Sequence, residues 1–211
     1  EFDFHHQAAL YVPSFLPDYR NPEYLPKAAE EIIKILEVSK GRAFVLFTSY
    51  QQMDACYKML KDKLPYPTIK QRRTSLSSLL EEFRSKSNGV LFATSRFWQG
   101  IDVRGETLSC VIIDKLPFQV PSDPLVSARM REIEQEGGNP FADYQVPSAI
   151  LRLKQGFGRL IRSRDDRGIL AVLDSRLHTR GYGNIFLSSL PDYAIVKHVE
   201  DLKTFMLGSS V

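Results

Sequence analysis

Short unbroken apolar runs alternate with amphipathic stretches along most of the chain. Residues 43–48 (AFVLFT), 89–93 (GVLFA), 108–114 (LSCVIID) and 168–173 (GILAVL) are apolar at nearly every position. Strands read this way when both of their faces are buried, as in a parallel sheet covered by helices. Between them, 27–38, 51–63, 75–86 and 146–163 carry helical spacing, a short strand is predicted around 68–71, and a last helix over 194–206. The alternation predicts an α/β domain, a parallel sheet with helices on both faces. Residues 1–26, with Pro13, Pro17, Pro22 and Pro26, predict an extended linker, and 27–211 a single domain.

Composition narrows the class of protein. With 211 residues and 43% apolar content the chain can supply a core. No run reaches the roughly 20 apolar residues that span a bilayer, and Asp3, His5 and His6 do not form the charged-then-apolar order of a signal peptide. No membrane partner is expected. Cys56 and Cys110 fall in a predicted helix and a predicted strand, where a single thiol serves as a small core residue, and a cytoplasmic location is expected. A net charge of +3 does not by itself imply nucleic acid. Its distribution says more: Arg152, Lys154, Arg159, Arg162, Arg164 and Arg167 crowd one segment, and Lys70-Gln71-Arg72-Arg73 forms a second cluster.

The segment 146–163 is the most informative. At about 100° per residue, with Gln155 at zero, Arg159 falls near +40°, Arg162 near −20° and Arg152 near +60°. Leu153, Phe157, Leu160 and Ile161 fall on the opposite side, so a helix would bury one face and offer an arginine row on the other. Guanidinium groups suit a triphosphate, because the planar fork makes paired charge-assisted bonds and keeps its proton at neutral pH. The same pattern also describes an amphipathic helix with a solvated basic face. The string Gln155-Gly156-Phe157-Gly158-Arg159-Leu160-Ile161-Arg162 resembles motif VI (QxxGRxxR) of superfamily 2 helicases, in the form of the DinG/XPD branch. That resemblance implies a RecA-like domain in which Arg159 and Arg162 act as arginine fingers on the γ-phosphate of ATP, with Gln155 beside them.

Further strings follow in family order. Thr94-Ser95-Arg96-Phe97-Trp98-Gln99-Gly100-Ile101-Asp102 resembles motif V. The resemblance implies that Thr94 contacts the nucleic-acid backbone and that Gly100 and Asp102 face the nucleotide; Arg96 and Gln99 fit either surface. Hydroxyls and a glycine at a strand end can bind phosphate, and an acid can accept from a ribose hydroxyl. Phe47-Thr48-Ser49-Tyr50 resembles motif IV, which implies DNA phosphate contacts from Thr48 and Ser49, although the same residues read equally as a helix cap. Lys115-Leu116-Pro117-Phe118 through Pro124 resembles the proline-rich segment that follows motif V in DinG-like helicases, and Arg129 and Arg131 on the next helix suit either a strand-binding path or plain solvation. Thr48, Thr94 and Gln155 are expected at one edge of the sheet.

A helicase motor also needs a glycine-rich loop with lysine for the phosphates, and acids for Mg²⁺ and the attacking water. The chain has no Gly-Lys and no Asp-Glu dipeptide. ATP and Mg²⁺ are therefore expected to bind mainly on a first RecA-like domain outside this sequence, and the 211 residues alone are expected not to hydrolyse ATP. Two separated cysteines leave open whether the parent carries an iron–sulfur cluster. The resemblance implies the C-terminal motor domain of an ATP-dependent DNA helicase, with single-stranded DNA and the first motor domain as partners. The alternative is a non-catalytic module that binds single-stranded nucleic acid, or a regulatory module, from a DinG-like exonuclease.

Overall fold

The computed structural model describes residues 2–94, 108–158, 160–161 and 166–208. In chain order these form α1 (Phe4–Gln7), β1 (Ala8–Tyr11), α2 (Tyr24–Ser39), β2 (Ala43–Phe47), α3 (Tyr50–Leu60), β3 (Thr68–Lys70), α4 (Leu76–Arg84), β4 (Val90–Thr94) and β5 (Cys110–Ile113). Then come α5 (Pro124–Gln135), a π-helical turn (Phe141–Gln145), α6 (Val146–Phe157), β6 (Gly168–Val172), α7 (Arg176–Thr179), α8 (Gly183–Ser189), β7 (Ala194–Val196) and α9 (Val199–Met206).

The strands make one sheet in the order β3-β4-β2-β5-β6-β1-β7, and every pairing is parallel. Alternate residues of each strand feed two separate cores. On one face Phe44, Leu46, Leu91, Val111 and Leu170 pack with Phe83 of α4, Leu153 and Phe157 of α6 and Phe186 of α8. On the other Val45, Phe47, Phe92, Ile112 and Ala171 pack with Ile32 and Ile35 of α2, Cys56 of α3 and Leu202 of α9. The predicted parallel sheet with helices on both faces is thus the observed architecture. Both thiols are buried, and burial pushes each up to about 12.

Three local expectations are corrected. Residues 8–11 do not lead to the sheet but lie inside it, since β1 inserts between β6 and β7 with Leu10 opposite Leu170 and Ile195. Residues 194–196 are an edge strand, and the last helix begins only at Val199. The helix predicted over 146–163 ends at Phe157, where Gly158 N–H returns to the Lys154 carbonyl at 2.8 Å. Leu160 and Ile161 are buried as expected, but beyond the helix; Leu160 lies over Gly168, where a Cβ would come within 2.5 Å of its side chain.

Between α2 and β2, Lys40, Gly41 and Arg42 all adopt positive φ. At Gly41, φ is +73° and a Cβ would stand 2.2 Å from the Asn88 carbonyl oxygen, so this turn has room only for glycine.

Candidate functional site

Parallel strands present all their carboxyl ends at one edge, and the loops there come from β3, β4, β2, β5 and β6 in spatial order. Phe47 pairs with Thr94, so the end of β2 and the end of β4 are neighbours. Thr48 follows β2, is half-buried, and donates its N–H to Asp114 Oδ1 at 3.0 Å. Its hydroxyl has no partner among the described residues. Ser49 is the N-cap of α3, its hydroxyl accepting from the Gln52 N–H at 3.3 Å. The capping role that the sequence left open is therefore realised at Ser49. Thr94 is only 4% exposed, and both its donors converge on one acceptor: N–H and hydroxyl reach Gln71 Oε1 at 2.7 and 3.1 Å.

The next loops are tied together by two buried carboxylates. Asp114, directly after β5, accepts from the N–H groups of Thr48 and Lys115 through Oδ1, while its buried Oδ2 makes no hydrogen bond among the described residues. Burial pushes its carboxyl up to about 7, against the opposing pull of the Lys115 ammonium 3.9 Å away and the two backbone N–H groups; nearby Asp174 raises it further. Asp174, after β6, accepts from Leu116 N–H at 2.8 Å and from the Arg176 guanidinium at 2.6 Å, so the β5 and β6 loops are joined through one side chain. The Arg176 guanidinium also lies over the rings of Tyr19, at 4.6 Å, and Phe118, at 5.2 Å. Asp123 caps α5 with Pro124 in its first turn, which ends the proline-rich segment. On α5, Arg129 is paired with Glu132 and Arg131 donates to Ser127, so both are engaged within their own helix.

Gln155 is not at this edge. α6 leaves the loop after β5 and returns to the start of β6, so it runs against the strands and its last turn lies at the amino edge. Phe157, two residues on, meets Tyr193 with ring centroids 6.2 Å apart, and Tyr193 immediately precedes β7. Gln155 is exposed there, Arg152 is half-buried, and Leu153 and Phe157 face the core, as the helical angles require. The expectation that Thr48, Thr94 and Gln155 share one edge is thus corrected: two stand at the carboxyl edge and one at the amino edge. Arg96, Gly100, Asp102, Arg159 and Arg162 lie outside the described residues. The segment that holds the first three begins at Thr94, at the carboxyl edge, and ends where Leu108 leads into the amino end of β5.

A sequence reading for motifs missed Gln71, Asp114, Asp174 and Arg176. Gln71 sits inside the Lys70–Arg73 cluster, where charge draws attention to its neighbours. Two of those neighbours are neutralised locally, Lys70 by Asp54 at 2.9 Å and Arg72 by Glu82 at 2.7 Å. A surface groove of about 440 Å³ between the π-helical turn, α6 and α8 has Lys154 as its one charged lining residue, and its Tyr182 meets Phe118, the ring over which Arg176 lies. Among the described residues no helix is long and apolar enough to cross a membrane.

Comparison with known proteins identifies the family. The chain is 42% identical over 205 residues to the ATP-dependent DNA helicase YoaA of Haemophilus influenzae, covering 97% of this chain and 32% of that protein. It is 47% identical over 190 residues to YoaA of Escherichia coli, covering 90% and 30%. The chain therefore spans about a third of the length of the curated relatives it matches. A solved XPD helicase structure superposes with a TM-score of 0.68 at 18% identity, covering 90% of this chain and 36% of that one, which shows a shared RecA-like fold. Residues 32–193 match the model of the helicase C-terminal domain, and the chain belongs to that family.

Proposed function

We propose that the chain is the second RecA-like motor domain of an ATP-dependent DNA helicase, with β1 of residues 8–11 part of its sheet, and that the two edges of the sheet serve different ligands. The observation that carries this reading is the match of residues 32–193 to the helicase C-terminal domain; against the single-edge expectation, Thr48 and Thr94 stand together at the carboxyl edge while Gln155, in the last turn of α6, stands at the amino edge. Single-stranded DNA crosses the carboxyl edge. There the Thr48 hydroxyl is the accessible donor, with Ser49 at a helix start behind it, whereas Thr94 donates to a phosphate only after Gln71 lets go. Arg96 serves this surface. ATP, with Mg²⁺, is held mainly by a first RecA-like domain and meets the amino edge, where Gln155 is exposed and Arg159 and Arg162 follow.

The segment from Thr94 to Leu108 begins at one edge and ends at the other, which fits a motif whose first residue meets DNA and whose Gly100 and Asp102 meet nucleotide. Arg159 and Arg162 act as fingers that stabilise charge on the departing γ-phosphate, an effect worth about 10³–10⁵ in rate.

Alanine at Arg159 or at Arg162 in the full-length parent tests this. DNA-stimulated ATP turnover should fall by several orders of magnitude, as loss of transition-state charge stabilisation requires, while the melting temperature stays nearly constant. Lysine keeps the charge but not the fork and should restore little. Turnover like that of the wild type in both alanine variants rejects the finger assignment.

A further inference from the structure

Tyr50 is the residue at the carboxyl edge that the reading above leaves unused. It is the first residue of α3, directly after Thr48 and Ser49, and is 57% exposed. A ring so exposed adds little to the core, yet it is held in place: the Gln71 side-chain amide donates from Nε2 to the Tyr50 hydroxyl at 3.3 Å. The other end of that amide, Oε1, accepts both donors of Thr94. The Gln71 backbone is fixed as well, its N–H donating to the Phe92 carbonyl at 2.8 Å. One side chain thus links the turn after β2, the turn after β3 and the end of β4, the three adjacent carboxyl-edge positions.

Gln71 lies in the basic cluster 70–73, two residues before Arg73. Lys70 is matched by Asp54 and Arg72 by Glu82, while Arg73 is exposed and takes part in no ion pair among the described residues. A flat, tethered aromatic ring, with the hydroxyl-bearing Thr48 two residues before it and Arg73 two residues after its tether, suits a nucleotide, whose base has a π-face and whose phosphate takes the charge. A tyrosine also loses little rotamer freedom on binding when its hydroxyl is already anchored.

We propose that Tyr50 is a nucleobase-stacking residue for single-stranded DNA, that Gln71 is the positioning residue that sets its ring relative to Thr94, and that Arg73 contacts the adjoining phosphate. This rests on the assignment of the carboxyl edge to DNA. Stacking of this kind tolerates any base, as a translocating motor requires.

The test uses the full-length parent and fluorescein-labelled oligo(dT), with a matched set in which one abasic site is walked along the strand. Tyr50→Leu should weaken binding by about five- to a hundredfold, and Tyr50→Phe should keep most of the affinity. In the wild type one abasic position should carry a penalty that vanishes in Tyr50→Leu and shrinks in Gln71→Ala; a merely structural glutamine would leave that position-specific penalty unchanged. An abasic profile that is the same in wild type and Tyr50→Leu overturns the proposal. Thr48→Val separates the two levels: if it weakens binding while the Tyr50 variants do not, stacking is wrong and the DNA edge stands. If none of the variants changes binding, both fall.

Discussion

Asp114→Asn gives a quantitative test of the buried network that fixes Thr48. The carboxyl is fully enclosed, with Oδ1 shared between two backbone N–H groups and Oδ2 lacking a hydrogen bond among the described residues. Burial lifts it to about 7 from an ordinary value of 3.8. That gap corresponds to roughly 4 kcal/mol against the ionised form in the folded chain. Because the folded value lies above the unfolded one, the contribution to stability is complete below about pH 4 and is lost as pH rises through about 7. Asparagine keeps an oxygen for Thr48 and Lys115 but cannot ionise. Its stability relative to the wild type should therefore improve by about 3 kcal/mol between pH 5 and pH 8, with nearly all of the change below pH 7. Urea unfolding of both proteins at each whole pH value across that range measures the difference directly. A difference that is flat with pH, or that shifts toward the wild type as pH rises, refutes the reasoning: the Lys115 ammonium at 3.9 Å would then outweigh burial.

Two more outcomes follow from the same structure. Gly41→Ala should cost at least about 2 kcal/mol, since it forces an alanine to φ +73° and places a Cβ 2.2 Å from the Asn88 carbonyl oxygen; a urea midpoint equal to that of the wild type would contradict the described turn. Single-stranded DNA binding by the 211-residue chain should be weak and fall steeply between two salt concentrations, because its contacts are mainly to phosphate, and affinity indifferent to salt would count against the track.

The elements most legible in the sequence are those whose period is unambiguous. β2, β4, β5 and β6 are unbroken apolar runs and lie at the middle of the sheet or beside it, buried on both faces. β1 is equally buried, but its four residues are closely followed by Pro13 and Pro17, and the prolines suggest a linker. β7 has three residues, too few to show a period, and the amphipathic helix after it extends the apparent pattern backward. The helix expected to run to residue 163 ends at Phe157, because apolar spacing continues past Gly158 through Leu160 and Ile161, which are buried all the same but outside the helix. The single-edge expectation failed for a topological reason. Loops that follow strands open at the carboxyl edge, but a motif at the end of a crossover helix opens at the other. Gln71 and Asp114 were illegible in kind, since each acts through a backbone or side-chain group that only the parallel register brings near: Gln71 reaches Thr94 across 23 positions, and Asp114 reaches Thr48 across 66.

The two-edge arrangement constrains how nucleotide and DNA can be coupled on the proposed reading. β4 has five residues, so the carboxyl edge at Thr94 and the amino edge lie about 16 Å apart along the strand. No side chain spans that distance, and the intervening strands are buried on both faces with little freedom to shear. A displacement imposed at the amino edge is therefore carried to Thr48, Thr94 and Tyr50 by rotation of the sheet as a body, with the carboxyl-edge loops riding on it because Gln71, Asp114 and Asp174 tie each to its neighbour. On the proposed reading the function of these links is mechanical: they keep the carboxyl-edge loops in fixed register, so that movement made at one edge reaches the other.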